Sequence, residues 1–329
     1  MTNSIINVIP PGTPWETIDP FLVCAHHVDH FPAGNGELGP VVPEIGPAGA
    51  TQDWRMYFGK KVPGFPAHPH RGFETITILS QGVIDHSDSL GGRARFGAGD
   101  VQWLTAGRGI VHAEMFPLLN QDEPNPAEVV QIWLNLPARD KMAEPHFTMF
   151  WAQDVPKHAV RGADGRTEVE VTLIAGSLDG VDVKIPPAPP PKSWAADPTA
   201  DLAIWTLKMA PGARWQLPPA SGPGTRRQLI FLKGSTLAID GQSVEVKSAI
   251  EVNCSVPVEL VNGSQEAEIL MLQGRPIGEP VVLHGPFVMN SEDEIRQAYT
   301  DYRRTQFGGW AWTSNDPNHG PAKGRFAST

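Results

Sequence analysis

The stretch that decides the fold runs from residue 68 to residue 114; it opens with HPHRGFE (68–74) and closes with GDVQW (99–103) and TAGRGIVHAE (105–114). Each end carries two potential metal ligands that are separated by one residue. Because residues i and i+2 of a β-strand point to the same face, His68 and His70 can project together, as can His112 and Glu114. Two such strands inside a barrel would bring three imidazoles and one carboxylate to one point.

The composition favours a β-rich protein with one large domain or two smaller ones. The 329 residues include 33 glycines and 33 prolines, which suits many short strands joined by turns and argues against a helical bundle. Strand-like runs at 74–79, 83–88 and 129–136 are separated by turn residues, and they indicate an antiparallel sandwich or barrel.

The second half of the sequence repeats the first in outline, since the run at 228–234 parallels the run at 75–82. We therefore predict an N-terminal domain at 1–157 and a C-terminal domain at 158–329. No histidine occurs between His158 and His284, which excludes a metal site built from imidazoles there and marks this half as a scaffold copy. The proline-rich run at 186–191 is predicted to be a loop.

One helix is predicted near the C-terminus. Ser291 and Glu294 form a capping-box pattern, and apolar residues follow at helical spacing, which predicts a helix at about 291–304. The residues from 310 to 329 are polar and contain glycine and proline, so we predict that they form a tail.

Charge and cysteine content restrict the partners and the compartment. The formal net charge of −10 argues against direct binding of nucleic acid, because a phosphate backbone requires a basic surface. Cys24 and Cys254 form no CxxC pattern, which favours two buried thiols in a reducing compartment. The N-terminus lacks a signal-peptide pattern, and no apolar run approaches the roughly 20 residues that span a bilayer. We therefore expect a cytoplasmic protein that does not enter a membrane.

The predicted ligand set suits a divalent ion of Fe, Ni, Co, Cu, Zn or Mn and leaves coordination positions open for substrate or dioxygen. Spacing alone does not decide whether Glu114 or Glu74 is the carboxylate ligand. Glu74 lies at even spacing from His70 and would also point inward on an unbroken strand, as the ligand in place of Glu114 or as a nearby base. A bend at Gly72 would change this parity.

Other histidines are interpreted as structural. His86 is an inward-facing candidate at the edge of the site, and we interpret it as a hydrogen-bonded structural residue. The cluster of His26, His27 and His30 has no carboxylate or cysteine at ligand spacing, so we expect it to line a loop or the barrel rim.

The motifs at 68–75, 99–115 and 131–136, with the later run HGPFVMN at 284–290, resemble the pirin family of the cupin superfamily. The resemblance extends from about residue 20 to residue 308. It implies an all-β bicupin, with two antiparallel β-barrels of the jelly-roll (double-stranded β-helix) type in one chain and one metal ion in the N-terminal barrel. The pirin pattern maps the ligands onto His68, His70, His112 and Glu114, whereas generic cupins would use Glu74. The implied metal is Fe(II), and Ni, Co, Mn, Cu or Zn are able to occupy the same site.

The resemblance implies two kinds of activity. The first is that of a quercetin 2,3-dioxygenase, which opens a flavonol or similar small aromatic substrate with dioxygen. The metal would act as a Lewis acid, and Glu114 or Glu74 would take the proton of the substrate hydroxyl. Phe73, Trp103 and Trp133 are candidates for the walls of the aromatic pocket. The alternative is a non-catalytic regulator whose binding to a protein partner follows the oxidation state of the iron.

Overall fold

The structure is a computed structural model, and it describes residues 4–12, 14–41, 56, 58–322 and 324–328. The described residues form short β-strands, paired mainly antiparallel, and a single α-helix of more than one turn, α1 (Glu292–Thr305). The predicted all-β class with a short C-terminal helix is therefore confirmed. No helix in these ranges is long and apolar enough to cross a membrane.

The strands, in chain order, are β1 (Ile5–Ile9), β2 (Trp15–Glu16), β3 (Phe21–Phe31), β4 (Gly64–His70), β5 (Phe73–Gln81), β6 (Val83–Asp88), β7 (Arg93–Gly97), β8 (Val101–Thr105), β9 (Ile110–Met115), β10 (Asn125–Asn135), β11 (His146–Phe150), β12 (Lys157–Arg161), β13 (Thr167–Ala175), β14 (Ala203–Met209), β15 (Arg214–Leu217), β16 (Arg226–Lys233), β17 (Leu237–Ile239), β18 (Gln242–Val244), β19 (Ala249–Val252), β20 (Val258–Asn262), β21 (Ala267–Gly274), β22 (Val282–His284), β23 (Phe287–Met289) and β24 (Phe326–Ser328). Single turns of 3₁₀ helix lie at Ala138–Asp140, Trp194–Ala196 and Gln306–Gly308.

The chain divides into two compact units, each made of several segments. Unit I comprises Ala25–Gln131, Leu136–Ala152 and Glu279–Thr329, and unit II comprises Met1–Cys24, Ile132–Asn135 and Gln153–Gly278. The division of the chain into folding domains at residue 157 stays a prediction.

Two sheets of unit I enclose one apolar core, and β22 and β23 pair in a separate two-stranded sheet. The first contains the neighbouring strands β11-β8-β5-β10-β3 of a six-stranded sheet, and the second has the order β24-β7-β6-β9-β4. Leu79 and Leu104 from the first sheet and Ile84, Phe96 and Ile110 from the second lie in the same buried cluster. Burial of alternating apolar side chains on facing sheets is the main stabilising term of such a sandwich, at about 25 cal/mol per Å² of apolar surface.

Unit II follows the same plan. Its larger sheet has the order β1-β19-β16-β21-β14-β13-β12, and its smaller sheet has the order β15-β20-β17-β18. Leu229 and Met271 of the larger sheet share a core with Leu237 and Leu260 of the smaller one. The proline-rich run at 186–191 belongs to this unit and lies outside helices and strands, as predicted.

The C-terminal helix begins where the capping box predicted. The side-chain oxygen of Ser291 accepts a hydrogen bond from the backbone N–H of Glu294 at 3.3 Å. Three acidic residues in the first turn and two arginines in the last turn complement the helix dipole. Ile295 and Ala298 are buried on one face, as the helical spacing indicated.

The residues after the helix, which were predicted to form a tail, make several contacts with unit I. We call residues 310–328 the C-terminal strap, because its described part runs along unit I. β24 pairs with β7, with Phe326 opposite Arg95. The backbone oxygen of Asn315 accepts a hydrogen bond from the N–H of Ala67 at 2.7 Å, and the indole N–H of Trp312 donates to the carbonyl of Asp88 at 2.8 Å. Polar composition predicted a tail because these partners are distant in sequence.

The histidines near residue 26 lie on a strand, so the loop that was one of their two predicted places is wrong. β3 continues to Phe31, so His26, His27 and His30 are strand residues. The ring nitrogen Nε2 of His26 lies 2.8 Å from the carboxylate of Glu128. This carboxylate comes from β10, and sequence spacing could not reveal it.

Gly72 connects the two strands β4 and β5 and tolerates no side chain. Its φ is +85°, and a Cβ atom there would lie 2.0 Å from the carbonyl oxygen of Val288. We expect Gly72→Ala to lower the free energy of unfolding by about 3 kcal/mol or more, because a left-handed φ and a backbone clash add together. Urea unfolding measures the change.

Gly91 is the matched control. Its φ is +90°, but a Cβ there meets nothing within 4 Å. Gly91→Ala should therefore show the conformational cost alone, about 1 kcal/mol. Equal losses for the two variants would contradict the role given to the contact with Val288.

Candidate metal centre

Two neighbouring strands carry the three histidines. β4 and β9 pair antiparallel, with His68 opposite His112 and Phe65 opposite Glu114. His68 and His70 share one face of β4 because they are two residues apart. The register shifts between Phe65 and His68, so a β-bulge adds one residue to β4 and turns the ring of Phe65 towards the histidine face. The ring centroids of Phe65 and His68 lie 6.4 Å apart.

The imidazoles of His68, His70 and His112 form one group. The ring centroid of His68 lies 4.8 Å from that of His70 and 4.4 Å from that of His112, and those of His70 and His112 are 5.0 Å apart. One ligand nitrogen from each residue lies within 4.8 Å of the other two, so the group can hold a metal ion. His70 and His112 are buried and His68 is half-buried, which makes His68 the more accessible side of the group.

Backbone carbonyls orient two of the imidazoles. Nδ1 of His68 donates to the carbonyl of Pro66 at 2.8 Å, and Nδ1 of His70 faces the carbonyl of Pro286 at 3.4 Å. A proton held on Nδ1 leaves the lone pair on Nε2, which is how a carbonyl beyond the ligand fixes the tautomer of a metal-binding histidine.

His112 provides the test of fit. It is fully buried, and neither of its ring nitrogens has a hydrogen-bond partner among the described residues. Leaving a buried polar atom without a partner costs about 1–3 kcal/mol. A cation on one nitrogen would supply a partner, so the donor set fits a divalent metal ion.

The three imidazoles are held in the neutral form that binds metals. Burial lowers the pKa of His70 and of His112 well below the usual value, and neighbouring histidines lower it further. Burial also lowers the pKa of His68, while the negative charge of Glu114 opposes this shift. Neutral imidazoles at physiological pH keep their lone pairs available without proton release.

Glu114 lies on the histidine face of β9 but is held by other residues. It is buried, and its two carboxylate oxygens accept hydrogen bonds from the side-chain amide of Gln131 at 3.1 and 3.4 Å. The hydroxyl of Thr77 donates to the same carboxylate at 3.3 Å. Its oxygens are not among the ligand atoms that lie within 4.8 Å of one another.

The structure places Glu74 on the other face of its strand. Thr77 contacts Glu114, and residues 74 and 77 are an odd number apart on β5, so their side chains point to opposite faces. Glu74 is fully buried, and its carboxylate accepts a 2.6 Å hydrogen bond from the hydroxyl of Thr105 across the β5–β8 ladder. The positive φ of Gly72 supplies the change of parity that the sequence left open.

Two of the three predicted pocket residues, Phe73 and Trp103, lie on opposite faces of their sheet. Phe73 is buried beside the centre, with its ring centroid 5.0 Å from that of His70. Trp103 pairs with Ile76 across the strands and lies on the same face of β8 as Thr105, which binds Glu74. It packs on Phe150 with ring centroids 5.9 Å apart. Trp133 is half-buried and belongs to unit II.

His86 borders the histidine group without joining it. Its Nε2 lies 3.1 Å from the carboxylate of Asp88, and its ring centroid lies 5.6 Å from that of His112. Both His86 and Asp88 are buried on β6, directly opposite Glu114 and His112 of β9. Its other ring nitrogen, Nδ1, is buried without a hydrogen-bond partner among the described residues, so the structural role of His86 stays a prediction.

Sequence reasoning missed the residues that support Glu114 and the aromatic side of the centre. Thr77 and Gln131 lie on the same strands as predicted residues. Thr77 is four residues after Phe73 on β5 and faces the same side, so the alternation of the strand could have predicted it. Phe65 needs the β-bulge to face the histidines, and Phe58 stacks on it with ring centroids 5.4 Å apart. No local signal in the sequence predicts the bulge.

Comparisons with known proteins agree with this architecture. Residues 44–134 match the sequence family described as Pirin, and residues 204–308 match the Pirin C-terminal cupin domain. The crystal structure of a quercetin 2,3-dioxygenase from Acinetobacter baumannii is similar to the chain with a TM-score of 0.72 at 25% identity, covering 93% of this chain and 98% of that one.

Relatives of similar length occur in bacteria, plants and animals. A Pseudomonas aeruginosa protein provisionally named a quercetin 2,3-dioxygenase is 36% identical over 74% of this chain and 79% of its own. A pirin-like protein of Solanum lycopersicum is 36% identical over 73% of this chain and 75% of its own. Human pirin is 32% identical over 76% of this chain and 80% of its own.

Proposed function

Because this chain belongs to the pirin family, we propose that His68, His70, His112 and Glu114 hold one divalent metal ion, with iron as the first candidate and Ni, Co, Mn, Cu or Zn as alternatives. We further propose that the loaded protein is a dioxygenase that acts on a flavonol or a similar small aromatic substrate. The observation that carries the proposal is the group of three neutral imidazoles, two of them buried, in which neither nitrogen of His112 has a hydrogen-bond partner among the described residues.

The chemistry follows from the donor set. Three imidazoles and one carboxylate leave positions free on a six-coordinate ion, and the metal, when bound, supplies a Lewis acid for a substrate hydroxyl and for dioxygen. Glu114 takes the hydroxyl proton on a carboxylate oxygen, since the amide of Gln131 holds both oxygens in a fixed orientation. Names of relatives that refer to quercetin 2,3-dioxygenase support the substrate class.

An aromatic wall adjoins the accessible side of the centre. Phe58 is about half exposed and stacks on Phe65, and the ring centroid of Phe65 lies 6.0 Å from that of His27. A flat aromatic substrate gains dispersion and quadrupole contacts against such rings. We propose that these residues, together with Phe73 beside His70, orient the substrate ring.

Turnover of quercetin tests the proposal. We expect the metal-loaded protein to consume quercetin and dioxygen in equal amounts, followed by absorbance and an oxygen electrode. Free metal at the same concentration is the control. A protein that binds one metal ion per chain but turns over quercetin no faster than this control would overturn the enzymatic assignment and favour the regulator.

The two candidate carboxylates give different expectations. Glu114→Gln should lower kcat by about 100-fold or more, and the metal content of the same sample separates loss of the base from loss of a metal ligand. Glu74→Gln is the matched control, because Glu74 is equally buried but lies on the face of β5 that points away from Glu114. Its kcat should stay within about threefold of the wild-type value. The reverse order of effects would assign the base to Glu74.

A further inference from the structure

Unit II contains a cavity at one end of its core that the proposed function does not use. It has a volume of about 300 Å³, and its lining includes Trp205, Arg227 and Gln273. Arg227 lies two residues before Leu229 on β16, and Leu229 is in the apolar core. Residues two apart on a strand share a face, so Arg227 points into the same interior as the core residues.

Arg227 is a buried cation that forms no ion pair with the described residues. Only 1% of the residue is exposed, and within the described part of the chain no carboxylate forms an ion pair with it. Its Nε and Nη2 groups donate to the side-chain oxygen of Gln273, and Nη1 donates to the carbonyl of Pro218 at 2.7 Å. These bonds engage three of the five N–H groups of a guanidinium, so two remain for a ligand.

This arrangement is costly for the protein alone. A buried charge without an ion pair is destabilising. Burial lowers the pKa of Arg227 to about 10, and the negative charge of Asp201 opposes this shift only in part. A second buried donor lies in the same lining: the indole N–H of Trp205 has no hydrogen-bond partner among the described residues. Both features are relieved by an anionic group in the cavity.

Negative charge surrounds the outer part of the cavity. Asp179 is exposed, and Asp197 and Asp201 are half-buried, so all three are more accessible than Arg227. All three carboxylates also accept hydrogen bonds from neighbouring residues. Asp179 accepts from the hydroxyl of Ser177, and Asp197 from the N–H and the hydroxyl of Thr199. Asp201 accepts from the hydroxyls of Ser221 and Thr225 and from the N–H of Gly222. A ligand that complements both parts of the cavity has a carboxylate that faces Arg227 and a positive charge that faces the aspartates.

We propose that the cavity of unit II binds a small 2-amino acid as the zwitterion. The carboxylate binds the two remaining N–H groups of Arg227, and the ammonium group faces the carboxylates of Asp179 and Asp197. A planar guanidinium binds a carboxylate through two parallel hydrogen bonds, which a lysine cannot reproduce. Unit II would thereby bind a metabolite in the half of the chain that lacks the histidine group.

Isothermal titration of the full-length protein tests the proposal with L-leucine and L-alanine as probes. We expect at least one of them to bind at one site per chain with a Kd of about a millimolar or lower. L-leucinamide, which lacks the carboxylate, and 2-hydroxyisocaproate, which lacks the ammonium group, should each bind about tenfold more weakly. If neither amino acid binds at about 20 mM, which is 20 times the expected Kd, the proposal is overturned.

Variants place the binding at Arg227. Arg227→Lys should weaken L-leucine about tenfold, whereas Arg214→Lys, an exposed arginine of the same unit, should change nothing. If Arg227→Lys does not fold, Asp179→Asn, at an exposed position, replaces it. That variant should weaken L-leucine about threefold and leave 2-hydroxyisocaproate unchanged. Equal binding by the wild type and the variant that folds would overturn the site.

Discussion

His112→Leu is expected to abolish metal binding and to remove any stabilisation by metal. The wild type should bind about one divalent ion per chain, and the variant fewer than about 0.1, because the remaining ligands bind at least 100-fold more weakly without this imidazole. Elemental analysis after dialysis measures the content. A metal ion present at 1,000 times its Kd stabilises the folded state by about 4 kcal/mol, and this shift should disappear from the thermal unfolding of the variant.

The same substitution separates binding from folding. His112 is fully buried, and its two nitrogens have no hydrogen-bond partner in the part of the chain that the structure describes. A leucine of similar volume should therefore leave the metal-free protein equally stable or more stable. His146→Ala, at an exposed histidine of β11, is the control and should keep both the metal and the thermal shift. Retention of a full metal equivalent by His112→Leu would remove this residue from the centre.

The second large effect is expected at the ion pair between Asp85 and Arg95. Both side chains are almost fully buried, and the Nε and Nη2 groups of Arg95 donate to the two oxygens of Asp85 at 2.6 Å each. Removing one partner leaves an uncompensated buried charge, so Asp85→Asn and Arg95→Met should each lower the free energy of unfolding by about 3–5 kcal/mol. Urea unfolding checks the value.

A double variant and a neighbouring arginine complete this test. Asp85→Asn combined with Arg95→Met should cost clearly less than the sum of the two single changes, because no isolated charge remains. Arg93→Ala changes an exposed arginine of the same strand and should cost about 0.5 kcal/mol or less. Additive losses in the double variant would contradict the pairing.

The periodicity of two decided how much of the centre could be predicted. His68, His70 and His112 could be predicted because each belongs to an i, i+2 pair on a single strand, His68 with His70 and His112 with Glu114. Glu74 was ambiguous, since its face depends on the φ of Gly72, and that φ is fixed by the approach of the distant backbone at Val288. The register that places Trp103 opposite Ile76 is likewise a property of two strands together.

The fold class could also be predicted from alternation along single strands, whereas the C-terminal strap could not. Short alternating runs and glycine turns indicate β-sheet in any register. The strap instead depends on single contacts with partners far away in sequence, such as the bond from the indole of Trp312 to Asp88. Asp85 accepts a further hydrogen bond from the backbone of His319, a contact that no local pattern encodes.

The late position of β24 has a consequence for biosynthesis. Ser328 contacts Arg93 across a separation of 235 residues, so the outer side of β7 stays open on the ribosome until translation of this segment is complete. An open strand edge is a template for association with other chains. Nascent chains that stall before residue 326 should therefore be the aggregation-prone species, and a chaperone that shields β7 would protect them.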